Sequence, residues 1–96
     1  MNRNKSFEIP AVIGLTRGIS SGELETLTVD AIRSHRQRVE RAQQLWELLP
    51  DAHEGKTSGG TQHLAYVEAA MEMHGQMRVL HTLLNQLGYI PKVSVN

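Results

Sequence analysis

The sequence contains no cysteine, few aromatic residues and no excess of charge of either sign. Without cysteine there can be no disulfides, thiolate nucleophiles, thiolate-bound zinc or iron–sulfur clusters. Aromatic residues make up only 4% of the chain, which disfavours an all-β sandwich and favours aliphatic packing between helices. Ten Lys and Arg balance ten Asp and Glu, so net charge points neither to nucleic acid nor to a membrane surface as the partner.

Long hydrophobic runs are also missing. No stretch approaches the roughly 20 apolar residues that span a bilayer, and the polar start has no apolar stretch of signal-peptide length. We therefore expect a soluble cytoplasmic protein. With 96 residues the chain has room for one core, so residues 1–96 are expected to form a single helical domain.

Clusters of glycine, proline and small polar residues divide the chain into two long segments. Ser20 lies three residues before Glu23, which is the spacing of a helix-starting capping box, whereas Gly88 and Pro91 mark a helix end. The sequence therefore predicts an N-terminal arm over 1–19, a helix over about 21–49, a loop over 50–60, a second helix over about 61–87 and a C-terminal tail over 88–96.

Apolar residues follow a helical repeat in both long segments. In the second segment they are spaced 4-3-4-3-4-3, as in a coiled-coil or bundle seam, and further apolar residues lie well beyond that seam. A single two-helix hairpin would leave much of this surface exposed. The predicted fold is all-α: a long antiparallel two-helix hairpin per chain that dimerises into a four-helix bundle or coiled coil. The predicted dimer and core positions are Leu24, Ile32, Val39, Trp46, Leu49, Tyr66, Ala70, Met73, Met77, Leu80 and Leu84.

An antiparallel hairpin also predicts a register between its two helices. Residues whose numbers add up to roughly 110 should lie at the same level, which places Arg38 near Glu72 and His35 near Gly75. We therefore predict an ion pair between Arg38 and either Glu72 or Glu68. His35 lies on the apolar arc of the first helix, where it is interpreted as a structural side chain.

The remaining histidines do not have the spacing of a metal or catalytic site. His63, His74 and His81 share one edge of the second helix but are about 16 and 10 Å apart along its axis. One helix supplies two ligands to a metal from positions three or four residues apart, and the sequence contains neither His-x-x-x-His nor Glu-x-x-His. We therefore expect no enzyme activity, no catalytic or metal site and no cofactor.

Arginines make the middle of the first helix basic. Because Arg33, Arg36, Arg38 and Arg41 spread around the helix and Glu40 lies among them, a solvated face is the simplest interpretation. A protein-binding face is a second interpretation, since arginine is favoured at interfaces. A small homodimeric helical DNA-binding regulator and another kind of helical adaptor remain as alternatives.

Six ordered blocks follow one another along the chain: Ile13-Gly14-Leu15-Thr16-Arg17-Gly18, Leu24-Glu25-Thr26, Asp30-Ala31-Ile32-Arg33, Gly59-Gly60-x-Gln62-His63, Glu72-Met73-His74-x-Gln76-Met77 and Ile90-Pro91-Lys92-Val93-x-Val95-Asn96. This series closely resembles the TraM family of quorum-sensing anti-activators, over nearly everything from Ile13 to Asn96.

The resemblance implies a cytoplasmic regulator of plasmid conjugal transfer. TraM proteins are helical homodimers that bind the LuxR-type activator TraR through its DNA-binding domain and keep it from promoter DNA. Neither catalysis, a cofactor, direct nucleic-acid binding nor a membrane is implied. Partner contact is expected from side chains that the bundle does not use: Leu15, Thr16, Arg17, Arg33, Arg36, Glu40, Pro91, Lys92, Val93 and Val95.

Overall fold

The computed structural model describes residues 8–49 and 60–94. It contains three helices, α1 (Pro10–Leu15), α2 (Ser21–Glu47) and α3 (Gly60–Leu87), and no strand occurs in these two ranges. The all-α prediction is therefore confirmed. Residues 1–7 of the predicted arm, residues 50–59 of the predicted loop, Val95 and Asn96 lie outside the described residues.

The N-terminus of α2 is fixed by the predicted capping box. The Glu23 backbone N–H donates to Ser20 Oγ at 3.1 Å, and the Ser20 backbone N–H donates to Glu23 Oε1 at 2.9 Å. The pKa of the Glu23 carboxyl is lowered mainly by the hydrogen bond from the Ser20 backbone. The hydrogen bond with the Ser20 side chain is the smaller contribution. Helix α2 ends at Glu47, two residues earlier than predicted.

Helix α3 ends where the sequence predicts, at Leu87. Gly88 follows with φ +87°, a left-handed conformation that glycine adopts without strain. Its N–H donates to the Leu84 carbonyl at 2.9 Å, so one of the last helical carbonyls is satisfied.

Helices α2 and α3 form an antiparallel hairpin with the predicted register. Arg38 Nη1 donates to Glu72 Oε2 at 3.1 Å, which confirms the predicted ion pair. Towards the loop, the Trp46 and Tyr66 rings lie 5.3 Å apart, and in the other direction Gln76 Nε2 donates to the Ala31 carbonyl at 3.3 Å. The two residue numbers of each pair add up to a value near the predicted 110.

The core lies towards the open end of the hairpin and is small. Ala31, Leu80 and Leu83 form its buried centre, and five partly buried side chains pack against it: Val12, Leu24, Ile32, Val79 and Leu84. Thr28 and Thr82 are fully buried beside these apolar residues. Among the described helices, none has the length and apolar character needed to cross a bilayer.

Helix α1 is a finding that the sequence analysis did not predict, because six residues are too few to show a helical repeat. Pro10 occupies its first turn, where the missing N–H costs nothing. The helix packs on the last third of α3: the Ile9 N–H donates to Thr82 Oγ1 at 2.9 Å, and Thr16 Oγ1 bonds Gln86 Oε1 at 3.0 Å. A second side of α3 is thus covered within the chain itself.

Candidate functional site

The described residues offer surface and no enclosed site. No group of three or more His, Asp and Glu side chains in residues 8–49 and 60–94 is arranged to hold a metal ion. The concave regions are open grooves along the helices, and one of them runs along α2 beside Arg36, Val39 and Glu40. A surface of this kind suits contact with another macromolecule better than turnover of a small substrate.

The segment after α1 places two of its three predicted contact residues in solvent. Leu15 is 82% exposed, and Arg17 is exposed two residues later. Thr16 is half-buried, and its hydroxyl lies within hydrogen-bonding distance of the Val12 carbonyl and of Gln86 Oε1. Leu15 and Arg17 are therefore the members of this group that a partner could reach directly.

The C-terminal tail lies along α2. The Tyr89 hydroxyl donates to the Glu25 carboxylate near the start of α2, and Arg33 Nη2 donates to Ser94 Oγ at 2.9 Å two turns further on. The hydrogen bond to Glu25 raises the pKa of Tyr89, and desolvation and the charge of Glu25 act in the same direction. Pro91 is buried between the two anchor points. The described part of the tail therefore packs on the hairpin at these points.

This packing divides the predicted tail contacts into accessible and less accessible ones. Lys92 is exposed, Val93 is half-buried, Pro91 is buried, and Val95 lies outside the described residues. Ile90, three residues after the end of α3, is 80% exposed. It borders a groove with His81 and Asn85.

On α2, Arg33, Arg36 and Glu40 are exposed, as a contact surface requires. Arg33 is engaged with the tail through Ser94, whereas Arg36 and Glu40 border the open groove on the same side of the helix. The opposite charges of Arg36 and Glu40 give this face mixed polarity, which differs from the continuous positive charge of a DNA-binding helix.

A polar layer crosses the hairpin interface halfway along. It consists of the Arg38–Glu72 pair, Gln76 and the half-buried His35. Within the described part of the chain, His35 Nδ1, Arg38 Nε and Gln76 Oε1 are buried atoms without a hydrogen-bond partner. The layer interrupts the apolar interface between the two helices.

The predicted seam is only partly covered within one chain. Of its α3 residues, Leu80 is buried and the other five are half-buried: Tyr66, Ala70, Met73, Met77 and Leu84. On α2, Leu24, Ile32 and Trp46 are half-buried and Val39 is exposed. Leu49, two residues after the end of α2, is buried. One long side of the hairpin therefore keeps apolar surface along most of its length.

Two further exposed apolar residues were not assigned a role from the sequence. Leu64 and Met71 lie on the outer face of α3, where they are 62% and 68% exposed. Their apolar character was visible in the sequence, but a helical repeat does not show which of two apolar faces the neighbouring helix covers.

Comparison with known proteins decides what kind of protein carries this surface. A family model described as Prokaryotic Transcriptional repressor TraM matches residues 1–92. The chain belongs to the TraM family. It is 51% identical over 96 residues to the transcriptional repressor TraM of Rhizobium radiobacter, covering 99% of this chain and 94% of that relative. It is 50% identical over 93 residues to the transcriptional repressor TraM of Agrobacterium fabrum (strain C58 / ATCC 33970), covering 96% and 91%.

A solved TraM-family structure has the same fold. The crystal structure of TraM2, a second quorum-sensing antiactivator from A. tumefaciens strain A6, matches with a TM-score of 0.87 and 57% identity, covering 91% of this chain and 99% of that chain. The TraM family is regulatory and not enzymatic, which confirms the prediction that this chain is not an enzyme.

Proposed function

We propose that this TraM-family chain is a cytoplasmic quorum-sensing antiactivator that binds a LuxR-type transcriptional activator, of the TraR kind, and blocks its binding to DNA. Genes for conjugal transfer of a plasmid would thereby be repressed. The observation that carries the proposal is the 57% identity, over 91% of this chain, to the antiactivator TraM2.

The inhibition is a matter of linked equilibria. A protein that binds the DNA-free activator more tightly than the DNA-bound activator shifts the activator away from DNA by the ratio of the two affinities. Imitation of DNA is unnecessary for this, and a formal net charge of zero would be unusual for a polyanion mimic. We therefore favour a wedge or a conformational mechanism.

The working form is proposed to be a homodimer, with two hairpins forming a four-helix bundle. Its support is the half-buried apolar side of α3, at Tyr66, Ala70, Met73 and Met77. Trp46 of α2 stands beside Tyr66 and extends the same apolar side. A second copy packed there would bury side chains that one chain leaves partly in water.

Contact with the activator is proposed for the accessible residues outside this seam. The exposed candidates are Leu15, Arg17, Arg36, Glu40 and Lys92. The tail residues Pro91 and Val93, together with Arg33 and Thr16, would then support the surface by holding its parts in place. Val95 completes the set that the sequence predicts.

The test is a gel shift with labelled promoter DNA, a LuxR-type activator and its acyl-homoserine lactone, into which this protein is titrated. We expect the shifted activator–DNA band to disappear. We expect no shifted band when this protein is mixed with DNA alone. A direct shift of DNA would indicate a helical DNA-binding regulator instead. An unchanged activator–DNA band at saturating protein would indicate an adaptor for some other partner.

A further inference from the structure

Helix α3 carries a second apolar stripe besides the seam. Leu64, Val67 and Met71 are spaced three and four residues apart, which places them on one face of the helix. Leu64 is 62% and Met71 is 68% exposed, and Val67 is half-buried. We call these three residues the outer stripe.

The outer stripe is separate from every other contact that α3 makes in the described chain. At about 100° per residue, Leu64 and Met71 lie roughly 100° or more around the helix from the seam and from the buried α2-facing positions Ala69 and Leu80, whereas Val67 lies about 60° from Ala70 of the seam. Helix α1 does not reach it, because its hydrogen bonds to α3 are at Thr82 and Gln86. The hairpin leaves Leu64 and Met71 exposed, and they point away from the side on which the seam lies.

Helix α3 itself carries charge of one sign beside the outer stripe, whereas Arg38 and Arg41 of α2 lie on the Glu72 side. Among Asp, Glu, Lys and Arg, residues 60–77 contain only Glu68 and Glu72. Glu72 is paired with Arg38, whereas Glu68 is exposed one helical turn after Leu64. The stripe is thus an apolar strip of about two helical turns with a carboxylate at its edge.

We propose that the outer stripe is a docking surface for an amphipathic helix of the activator's DNA-binding domain, with Glu68 paired to a Lys or Arg of that helix. Apolar anchors at positions i, i+3 and i+7 are the pattern by which one helix docks on another. A DNA-binding domain carries cations for the phosphate backbone, so its surface is complementary to a carboxylate-edged apolar strip. This inference rests on the proposed antiactivator function.

The apolar part is tested with the double variant Leu64→Gln/Met71→Gln. Glutamine keeps good helix propensity, so the helix content by circular dichroism should not change. Affinity for the lactone-bound activator, measured by titration calorimetry, is expected to fall about tenfold or more. Leu48→Gln is the matched control: Leu48 is 58% exposed at the end of α2, and its loss should leave the affinity within about twofold.

The charged part is tested at Glu68. Glu68→Lys places a cation where a cation of the partner is expected, so it should weaken binding more than Glu68→Gln, and the difference between them should shrink at high salt. Equal effects of the two substitutions at low salt would contradict the charge pairing.

The outcomes separate this inference from the proposed function. If the Leu64→Gln/Met71→Gln and Glu68→Lys variants bind the activator as tightly as the wild-type chain, the stripe proposal is wrong and the antiactivator function stands. If the double variant changes the oligomeric state in sedimentation, the stripe is a contact between copies, which also overturns the proposal. If the wild-type chain fails to bind the activator, the proposed function itself is overturned.

Discussion

Two threonines occupy the most buried polar positions of this small core, and their hydroxyls make different hydrogen bonds. Thr28 Oγ1 donates to the Leu24 carbonyl at 2.8 Å, a bond within one helical turn. Thr82 Oγ1 donates to the Arg78 carbonyl in the same way and also accepts the Ile9 N–H at 2.9 Å. Only Thr82 satisfies a backbone donor from a distant part of the chain.

Replacing Thr82 with valine should therefore cost more than the same change at Thr28. Thr82→Val leaves the Ile9 N–H without its acceptor, and an unsatisfied backbone donor costs about 1–3 kcal/mol. Thr28→Val removes only a bond to a carbonyl that lies inside a helix, so we expect a cost below about 1 kcal/mol. Urea denaturation of both variants measures the difference, and equal losses would contradict the anchoring role of Thr82.

At the scale of the elements, the helix ends are determined by local chemistry. The capping box at Ser20 and Glu23 starts α2, and Gly88 in the left-handed region ends α3. Gly75 is different: it lies inside α3 with nothing within 4 Å of the position that a Cβ would take. It therefore has no packing role within this chain, although it lowers the helix propensity.

Alanine substitution at Gly88 and at Gly75 should change the free energy of unfolding in opposite directions. Gly88→Ala forces a side chain into the left-handed region and should lower the free energy of unfolding by about 1–2 kcal/mol. Gly75→Ala should raise it by up to about 1 kcal/mol, because alanine is the better helix former and the space is open. Thermal or urea unfolding measures both changes. A destabilising Gly75→Ala would instead reveal a close approach by a second molecule.

At the scale of the whole molecule, one chain buries little apolar surface. The buried hydrophobic residues among those described are Ala31, Ala42, Leu49, Ala69, Leu80 and Leu83, and three of these six are alanines. Small cores of this kind supply only marginal stability without a further source of burial. The half-buried side of α3 is the natural source, which is why we propose association of two copies.

A dimer formed through the seam predicts that stability depends on protein concentration. Each tenfold rise in concentration should raise the thermal midpoint by roughly 3–5 °C, because mass action favours the associated state. Met77→Gln, in the seam, should lower the midpoint and weaken association in sedimentation. Met71→Gln makes the same chemical change in the outer stripe and should leave association intact. A midpoint independent of concentration would contradict the dimer.

Local signals in the sequence determined the helical class, the ends of α2 and α3 to within about two residues, and the hairpin register that joins Arg38 to Glu72. These three features depend on neighbouring residues or on regular helical spacing, and both can be read from the amino-acid sequence. The family blocks were likewise readable, because they are ordered stretches of the chain itself.

Only the tertiary structure decided where α1 and the tail lie. The contact of Ile9 with Thr82 joins residues 73 positions apart, and that of Arg33 with Ser94 joins residues 61 positions apart. Such contacts depend on where the hairpin brings distant segments together, and no local pattern encodes them. The same holds for α3: the sequence shows several apolar faces, and only the packing of α1 and α2 shows that Leu64 and Met71 remain exposed.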